Sequence, residues 1–106
     1  MSQKAGTPMK KVIVCCNAGV STSLLVNKLQ NAAKEQGTDY EIEAYPLAKA
    51  IDHLADADAV LLSPQVGFAQ PNLQDGTSAP VRTIDVNDYA NADVAAILTE
   101  IKELLG

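Results

Sequence analysis

Two continuous apolar runs constrain the fold of this chain more than any other feature. The segments KKVIVCC (residues 10–16) and DAVLLSP (58–64) are almost unbroken in their apolar character. Such runs are typical of strands that are buried on both faces of a parallel sheet. Two weaker segments, YEIEAYP (40–46) and PVRTID (80–85), alternate or mix apolar and polar residues, as edge strands do. The sequence therefore predicts four strands, of which the first and third are central.

Four further segments, which lie between and after these strands, have helical character. In the first, Ser21 or Thr22 can cap the helix and Gly37 suits the position just beyond its end. The last has the strongest apolar stripe, and the two in the middle predict short helices or turns. The four segments are residues 21–37, 47–57, 65–78 (interrupted at Pro71) and 91–106.

The alternation of strands and helices predicts an α/β fold of three layers, with helices on both faces of a parallel sheet. Central strands 1 and 3 and edge strands 2 and 4 fit a four-stranded sheet in the order 2-1-3-4, which is flavodoxin-like. That order reverses between strands 1 and 3, where ligands of such folds bind beyond the carboxyl ends of the strands. Residues 16–23 follow strand 1 and Ser63-Pro64-Gln65 follows strand 3, so both segments are expected at this point.

The segment CNAGVSTS (16–23) has the composition of an anion-binding loop. Gly19 permits backbone conformations that other residues resist, and the hydroxyl groups that follow it can cap a helix or donate to oxygen atoms. The first turn of a helix presents unpaired N–H groups and a positive dipole end, which favour phosphate. The predicted phosphate-binding residues are Asn17, Ala18, Gly19, Val20, Ser21, Thr22 and Ser23.

The two adjacent cysteines are predicted to differ in role. Cys16 is the last residue of the strand and the first of the loop, where the same electrostatic field stabilises a thiolate nucleophile. Cys15, one residue earlier, should point to the other face of the sheet and pack as a small apolar side chain. We therefore predict that Cys16 is the reactive residue.

This loop is similar to the phosphate loop of low-molecular-weight tyrosine phosphatases, in which an arginine occupies the position of Thr22. An arginine there would clamp a transferring phosphoryl group. Neither that arginine nor an Asp-Pro resembling the general acid of those enzymes is present, which favours a phosphoryl carrier. A low-molecular-weight cysteine phosphatase or arsenate reductase stays the alternative. A flavin mononucleotide module is disfavoured because it would have no use for the cysteine.

Composition and charge argue against some classes of partner and location. The chain has 106 residues and a net charge of -5, which argues against nucleic acid as a partner. It lacks the run of about 20 apolar residues that spans a bilayer, and its start does not read as a signal peptide. Two adjacent cysteines fit a reducing cytoplasm. We expect a flexible tail over residues 1–8, a single domain over 9–106, and neither cofactor nor metal.

The segments VCCNAGVSTSLLVNKL, EIEAYP, ADAVLLSPQV and PVRTIDVNDYANAD together resemble one known family. This is the IIB component, lactose/cellobiose (chitobiose) class, of the bacterial phosphoenolpyruvate-dependent sugar phosphotransferase system. The likeness runs from about Met9 to Gly106, and the loop and the Ser-Pro-Gln after strand 3 are its most specific parts.

The resemblance implies a phosphocysteine carrier. A phosphohistidine on a IIA protein would phosphorylate Cys16, and the phosphoryl group would pass to a sugar carried by the membrane component IIC. The loop from Asn17 to Ser23 would bind the phosphate, and Gln65 would lie near it. The protein would be cytoplasmic and reach the inner face of the membrane only through IIC, without inserting into it.

Residues outside the loop are given lesser roles. His53, the chain's one histidine, lies on a segment whose acidic residues suggest a solvated face. Asp85, at the end of strand 4, is interpreted as a cap or loop residue. The partner-docking residues suggested by the pattern are Val20, Phe68, Ala69 and Tyr89.

Overall fold

The computed structural model describes residues 10–16, 20–38 and 40–105, without the side chains of residues 20–23. The tail predicted over residues 1–8 lies outside the described residues. Four parallel strands form one sheet in the order β2-β1-β3-β4, which confirms the predicted flavodoxin-like order. The strands are β1 (Lys10–Cys16), β2 (Tyr40–Pro46), β3 (Ala59–Leu62) and β4 (Val81–Thr83).

Helices connect the strands and cover both faces of the sheet, as the apolar patterns predict. The helices are α1 (Val20–Glu35), α2 (Leu47–Ala50), a first 3-10 helix (Ile51–Asp56), a second 3-10 helix (Pro64–Ala69), α3 (Gln70–Asp75), α4 (Val86–Ala90) and α5 (Val94–Leu105). We call the edge of the sheet at which its parallel strands end the carboxyl edge.

Two hydrophobic clusters separate the faces of the sheet. On the face covered by α1 and α5, strand residues such as Val12, Val14 and Leu61 pack with side chains of both helices. On the opposite face, Ile13, Cys15 and their neighbours pack with the first 3-10 helix, the second one and α3. The alternation of side chains along each strand produces this division, and it decides which face each cysteine belongs to.

The helix ends depart from the predicted pattern at one proline. Pro71 does not interrupt a helix; it lies in the first turn of α3. Its fixed φ and missing N–H suit that position, where the amide would have no helical partner. At the end of α1, Gly37 adopts φ +74 and its N–H donates to the carbonyl of Lys34 at 3.1 Å, which confirms its predicted place beyond the helix.

The sequence pattern misses helix α4 and yet identifies its cap. The predicted helix over residues 91–106 is observed as α5, whereas α4 precedes it as a separate short helix. Asp85 is the N-cap of α4, because its carboxylate accepts from the N–H groups of Asn87 at 2.8 Å and Asp88 at 3.4 Å. Only five residues long and without a buried side chain, α4 has no apolar stripe to reveal it.

Candidate active site

Cys16 is the last residue of the central strand β1 and is only 3% exposed. It pairs in register with Pro46, and helix α1 begins four residues later at Val20. In the described conformation its Sγ–H donates to the carbonyl oxygen of Tyr45 at 3.6 Å. The thiol therefore lies at the carboxyl edge, between the end of β2 and the start of a 16-residue helix.

Cys15 is buried on the opposite face of the sheet, in a cluster with Ile13 and Leu62. Burial raises the pKa of its thiol from 9.0 to about 12, and the neighbouring Cys16 adds to the rise. A thiol with this pKa stays protonated at neutral pH and is a poor nucleophile. The predicted packing role of Cys15 is confirmed.

The predicted phosphate-binding loop follows Cys16 along the chain. Asn17, Ala18 and Gly19 lie outside the described residues. The backbone of Val20, Ser21, Thr22 and Ser23 forms the first turn of α1, but their side chains are not described. Helix α1 begins at Val20, four residues after Cys16, and the first turn of a helix presents unpaired N–H groups of the kind that bind anions. The roles of the individual loop residues stay predictions.

The segment that follows β3 reaches the same edge of the sheet. Ser63 is fully buried, and its N–H donates to the carbonyl of Cys15 at 2.9 Å, which extends the pairing of β3 with β1. Gln65 lies two residues further on, in the second 3-10 helix, with its side chain exposed. The structure therefore brings Ser63 beside the end of β1, whereas the proximity of Gln65 to a bound phosphate stays a prediction.

His53 is not on a freely solvated face. Its ring is half-buried and stacks on Tyr45 with centroids 4.0 Å apart and planes inclined by 15°. The hydroxyl of Tyr45 donates to the carboxylate of Glu43, a bond that lowers the pKa of Glu43 and raises that of Tyr45. Since Tyr45 packs against the cluster of the opposite face, this arrangement serves packing on β2.

The chain has one arginine, and it is far along the sheet from Cys16. Arg82 is the central residue of β4, an edge strand separated from β1 by β3. Its guanidinium lies 3.8 Å from the carboxylate of Glu100 and 3.9 Å from that of Glu103, both on α5. The one guanidinium of the chain therefore lies on a strand two places from β1, beside carboxylates of α5.

Large apolar side chains are exposed on elements that surround the carboxyl edge. Phe68 is 76% exposed on the second 3-10 helix, Leu24 is 61% exposed on α1, and Val86 opens α4. Leu24 also lines a cavity of about 260 Å³ together with Tyr89. Of the suggested docking residues, Phe68 is thus at the surface, whereas Ala69 is buried, because the turn of the 3-10 helix directs it into the core.

Among the described residues, no helix is long and apolar enough to cross a bilayer. Within the same ranges, no group of three or more histidine, cysteine or acidic side chains is arranged to hold a metal ion.

A cysteine that ends a central parallel strand four residues before a helix lies where α/β folds bind their ligands and where a helix N-terminus favours anions. The sequence profile of the family described as "PTS system, Lactose/Cellobiose specific IIB subunit" matches residues 11–100. The chain therefore belongs to this family of phosphotransferase system components.

Three curated relatives agree with this assignment. The chain is 41% identical over 88 residues to the oligo-beta-mannoside-specific EIIB component of Bacillus subtilis strain 168, covering 80% of this chain and 85% of the relative. It is 36% identical to the galactose-specific EIIB component of Lactococcus lactis subsp. cremoris MG1363. It is 35% identical to the cellobiose-specific EIIB component of Lactococcus lactis subsp. lactis IL1403. Both Lactococcus alignments span 104 residues, 91% of this chain and 96% of the relative.

Two solved structures share the fold. The lactose-specific IIB domain of Streptococcus pneumoniae superposes with a TM-score of 0.81 at 17% identity, covering 93% of this chain and all of that one. The cellobiose-specific IIB component of Borrelia burgdorferi superposes with a TM-score of 0.76 at 27% identity, covering 94% of each chain.

Proposed function

We propose that this protein is a phosphocysteine carrier in which Cys16 receives a phosphoryl group from a IIA protein and passes it to a sugar. The observation that carries the proposal is the place of Cys16 at the end of β1, four residues before the start of α1. The burial and the raised pKa of the adjacent Cys15 support the choice of Cys16 between the two cysteines.

Each step exchanges one bond to phosphorus for another. The thiolate of Cys16 attacks the phosphorus of a IIA phosphohistidine; an S–P bond forms as the P–N bond breaks, and the imidazole regains its electron pair. A sugar hydroxyl then attacks the phosphocysteine, so that an O–P bond forms, the S–P bond breaks and the thiolate is restored. The hydroxyl proton leaves to a base on the sugar's carrier or to solvent. Backbone N–H groups at the start of α1 would hold the phosphoryl oxygens.

The lack of a nearby arginine favours a carrier over a phosphatase. A carrier must hold its phosphoryl group without promoting the attack of water, and a bidentate guanidinium would stabilise the charge that develops during hydrolysis. Arg82 is paired with Glu100 and Glu103 on the far side of β3. The site thus supports transfer between partners more than hydrolysis.

The partners would dock on the exposed apolar side chains around the carboxyl edge. Phe68, Leu24 and Val86 lie on three different elements, each of which follows the end of a strand. A partner that presents a phosphohistidine to Cys16 must cover this edge, and burying these side chains would contribute to its affinity. We propose that this apolar rim binds IIA and, in turn, the membrane component IIC.

Family membership supports the remaining parts of the proposal. Residues 9–106 would act as one IIB unit in the cytoplasm, held at the inner face of the membrane through IIC. The curated relatives are named for oligo-beta-mannoside, galactose and cellobiose. We propose a sugar of the lactose/cellobiose class, which agrees with the family that the chain matches.

The test is phosphorylation by phosphoenolpyruvate through the general carrier proteins and a cognate IIA. Mass spectrometry of the intact protein, under conditions that preserve a thiophosphate linkage, should show one added phosphate on Cys16. Cys16→Ser should lose the phosphate, because a serine hydroxyl stays protonated at neutral pH. The matched control, Cys15→Ala, should keep most of the transfer.

Phosphate found on Cys15 or His53 would contradict the assignment to Cys16. Turnover of an aryl phosphate by the purified protein alone would favour the phosphatase alternative. For the apolar rim, Phe68→Ala should weaken binding of IIA, whereas Asn72→Ala, at an exposed position on α3, should leave it unchanged. Equal affinities of the two variants would remove Phe68 from the docking surface.

A further inference from the structure

The hydroxyl of Ser63 is a polar group that the fold buries without satisfying. Ser63 is fully buried, and among the residues that the structure describes its Oγ has no hydrogen-bond partner. Buried polar atoms in folded proteins are nearly always paired, because an unpaired one loses its hydrogen bonds to water without replacement. The position therefore calls for an explanation other than stability.

The hydroxyl of Ser63 does not cap the helix that follows it. Ser63 is the N-cap residue of the second 3-10 helix, yet its side chain makes no capping hydrogen bond. Its backbone groups are both engaged: the N–H donates to the carbonyl of Cys15 at 2.9 Å, and the carbonyl accepts from the N–H of Val66 at 3.0 Å. These backbone hydrogen bonds explain the position of Ser63, but they give no role to its hydroxyl.

The side chain of Ser63 lies in the same row across the sheet as that of Cys16. Cys15 pairs with Leu62, so the next pair in the parallel register is Cys16 with Ser63. Along β3, Ala59 and Leu61 face α1 and α5, and Ser63 continues this alternation. Along β1, Val12 and Val14 face the same helices, and Cys16 continues theirs. Register partners on neighbouring parallel strands are about 4.8 Å apart, which is within reach of a contact between the two side chains.

Ionisation of Cys16 gives a further donor at this point a role. In the described state its thiol donates to the Tyr45 carbonyl, and that bond is lost when the proton leaves. A thiolate can only accept hydrogen bonds, and a nearby carbonyl oxygen repels it. A hydroxyl can donate to it, and a bond of this kind to a charged acceptor is stronger than one between neutral groups.

We propose that the Ser63 hydroxyl donates a hydrogen bond to the sulfur of Cys16 when that sulfur is a thiolate, both before phosphoryl transfer and as the leaving group afterwards. The inference rests on the proposed role of Cys16 as the phosphoryl acceptor. Ser63 thus contacts the reacting sulfur itself. While Cys16 is protonated the Ser63 hydroxyl has no partner among the described residues, and the fold tolerates this because the donor is then in place for the thiolate.

The first test removes the hydroxyl with Ser63→Ala in a Cys15→Ala background, where one thiol remains. Thiolate absorbance is followed against pH, with a Cys16→Ser protein as the baseline. The midpoint of ionisation should move upward by about one pH unit, as expected for one lost hydrogen bond to a charged group. The midpoint is compared with that of the Cys15→Ala protein, which keeps Ser63. Because these two proteins share His53 and every other titrating group, the effects of those groups cancel. An unchanged midpoint would overturn the proposal.

The second test separates this role from a change in access. Alkylation of Cys16 should be about threefold slower in the Ser63→Ala protein below the midpoint, because a tenfold smaller thiolate fraction is offset by higher intrinsic nucleophilicity. At high pH the same protein should react about threefold faster. Altered access to Cys16 would instead change the alkylation rate by the same factor at every pH, and that result would contradict the proposal.

Stability supplies the matched control. Ser63→Ala deletes an unpaired hydroxyl, so the midpoint of urea unfolding should stay equal or rise. Thr83→Val deletes a hydroxyl that donates to Gln70 at 2.6 Å at the end of β4; it should lower the urea midpoint and leave Cys16 ionisation unchanged. A destabilised Ser63→Ala protein would show that the hydroxyl is structural. Since these measurements need no partner protein, they stand apart from the transfer assay: loss of phosphorylation on Cys16 in the wild-type chain would instead refute the proposed function.

Discussion

Alkaline pH should destabilise this protein through one buried thiol, that of Cys15. Its pKa is about 12 in the folded chain, against 9.0 for the ordinary thiol, because burial disfavours the thiolate. In the unfolded chain the thiol ionises from pH 9 upward, whereas in the folded chain it stays protonated. The stability that goes with the protonated form is therefore fully present below pH 9 and is lost as the pH rises toward 12.

The magnitude follows from the two pKa values. At pH 10.5 the unfolded thiol lies 1.5 units above its pKa of 9.0, while the folded thiol is still almost fully protonated. Each unit is worth about 1.4 kcal/mol, so Cys15 alone should lower the free energy of unfolding by about 2 kcal/mol between pH 8 and pH 10.5.

The assay is urea unfolding of the wild-type chain and of Cys15→Ala at both pH values, under reducing conditions. Cys15→Ala leaves a small cavity, but that cost is the same at pH 8 and pH 10.5 and drops out of the comparison. The two proteins differ only at residue 15, so the difference between the two pH dependences reports Cys15 together with its interaction with Cys16. If the two proteins lose stability in parallel, within about 0.5 kcal/mol, the buried and protonated state assigned to Cys15 is wrong.

Three further substitutions test the packing and hydrogen bonding that hold the sheet and α4 in place, each measured by urea unfolding. Asp85→Ala removes the N-cap of α4 and should cost about 1 kcal/mol. Gln74→Ala should cost about 1–2 kcal/mol, because its side chain accepts from the N–H of Val81 at 3.0 Å and donates to the carbonyl of Ala79 at 2.8 Å, which anchors the start of β4. Leu61→Ala, at a fully buried position of β3, should cost about 3 kcal/mol through lost burial and the cavity that it leaves.

A shared control accompanies these three variants. Asp75 is exposed at the end of α3, and Asp75→Ala should change stability by less than about 0.5 kcal/mol. A loss for Asp85→Ala no larger than this control would mean that α4 does not depend on its cap. A similar result for Gln74→Ala would show that β4 is anchored by the sheet alone, and one for Leu61→Ala would contradict the burial of β3.

Much of the architecture could be predicted from periodicity. The apolar runs at residues 10–16 and 58–64 predict buried central strands, and the structure has β1 and β3 between the weaker β2 and β4. The order of the strands follows, because edge strands must tolerate solvent on one side. Helix α4 could not be predicted in this way, because it buries no side chain and therefore has no apolar pattern.

The candidate site could be predicted only in part. Cys16 is identifiable because a strand end, a glycine and several hydroxyl residues follow one another along the chain. Ser63 is 47 residues away, and nothing local distinguishes it from an ordinary serine before a proline. Its signal is a long-range one, the register of β3 against β1, which no local pattern contains.

Local patterns of neighbouring residues were enough to predict the class of fold and the separation of the two cysteines onto opposite faces, and the resemblance of four segments indicated the family. Only the tertiary structure decided which groups surround the Cys16 thiol: the Tyr45 carbonyl at 3.6 Å on one side and the row containing Ser63 on the other. It also showed that Arg82 is held by α5. The physical reason is that strand pairing and burial join residues far apart in the chain, and local patterns report only which side of an element faces the core.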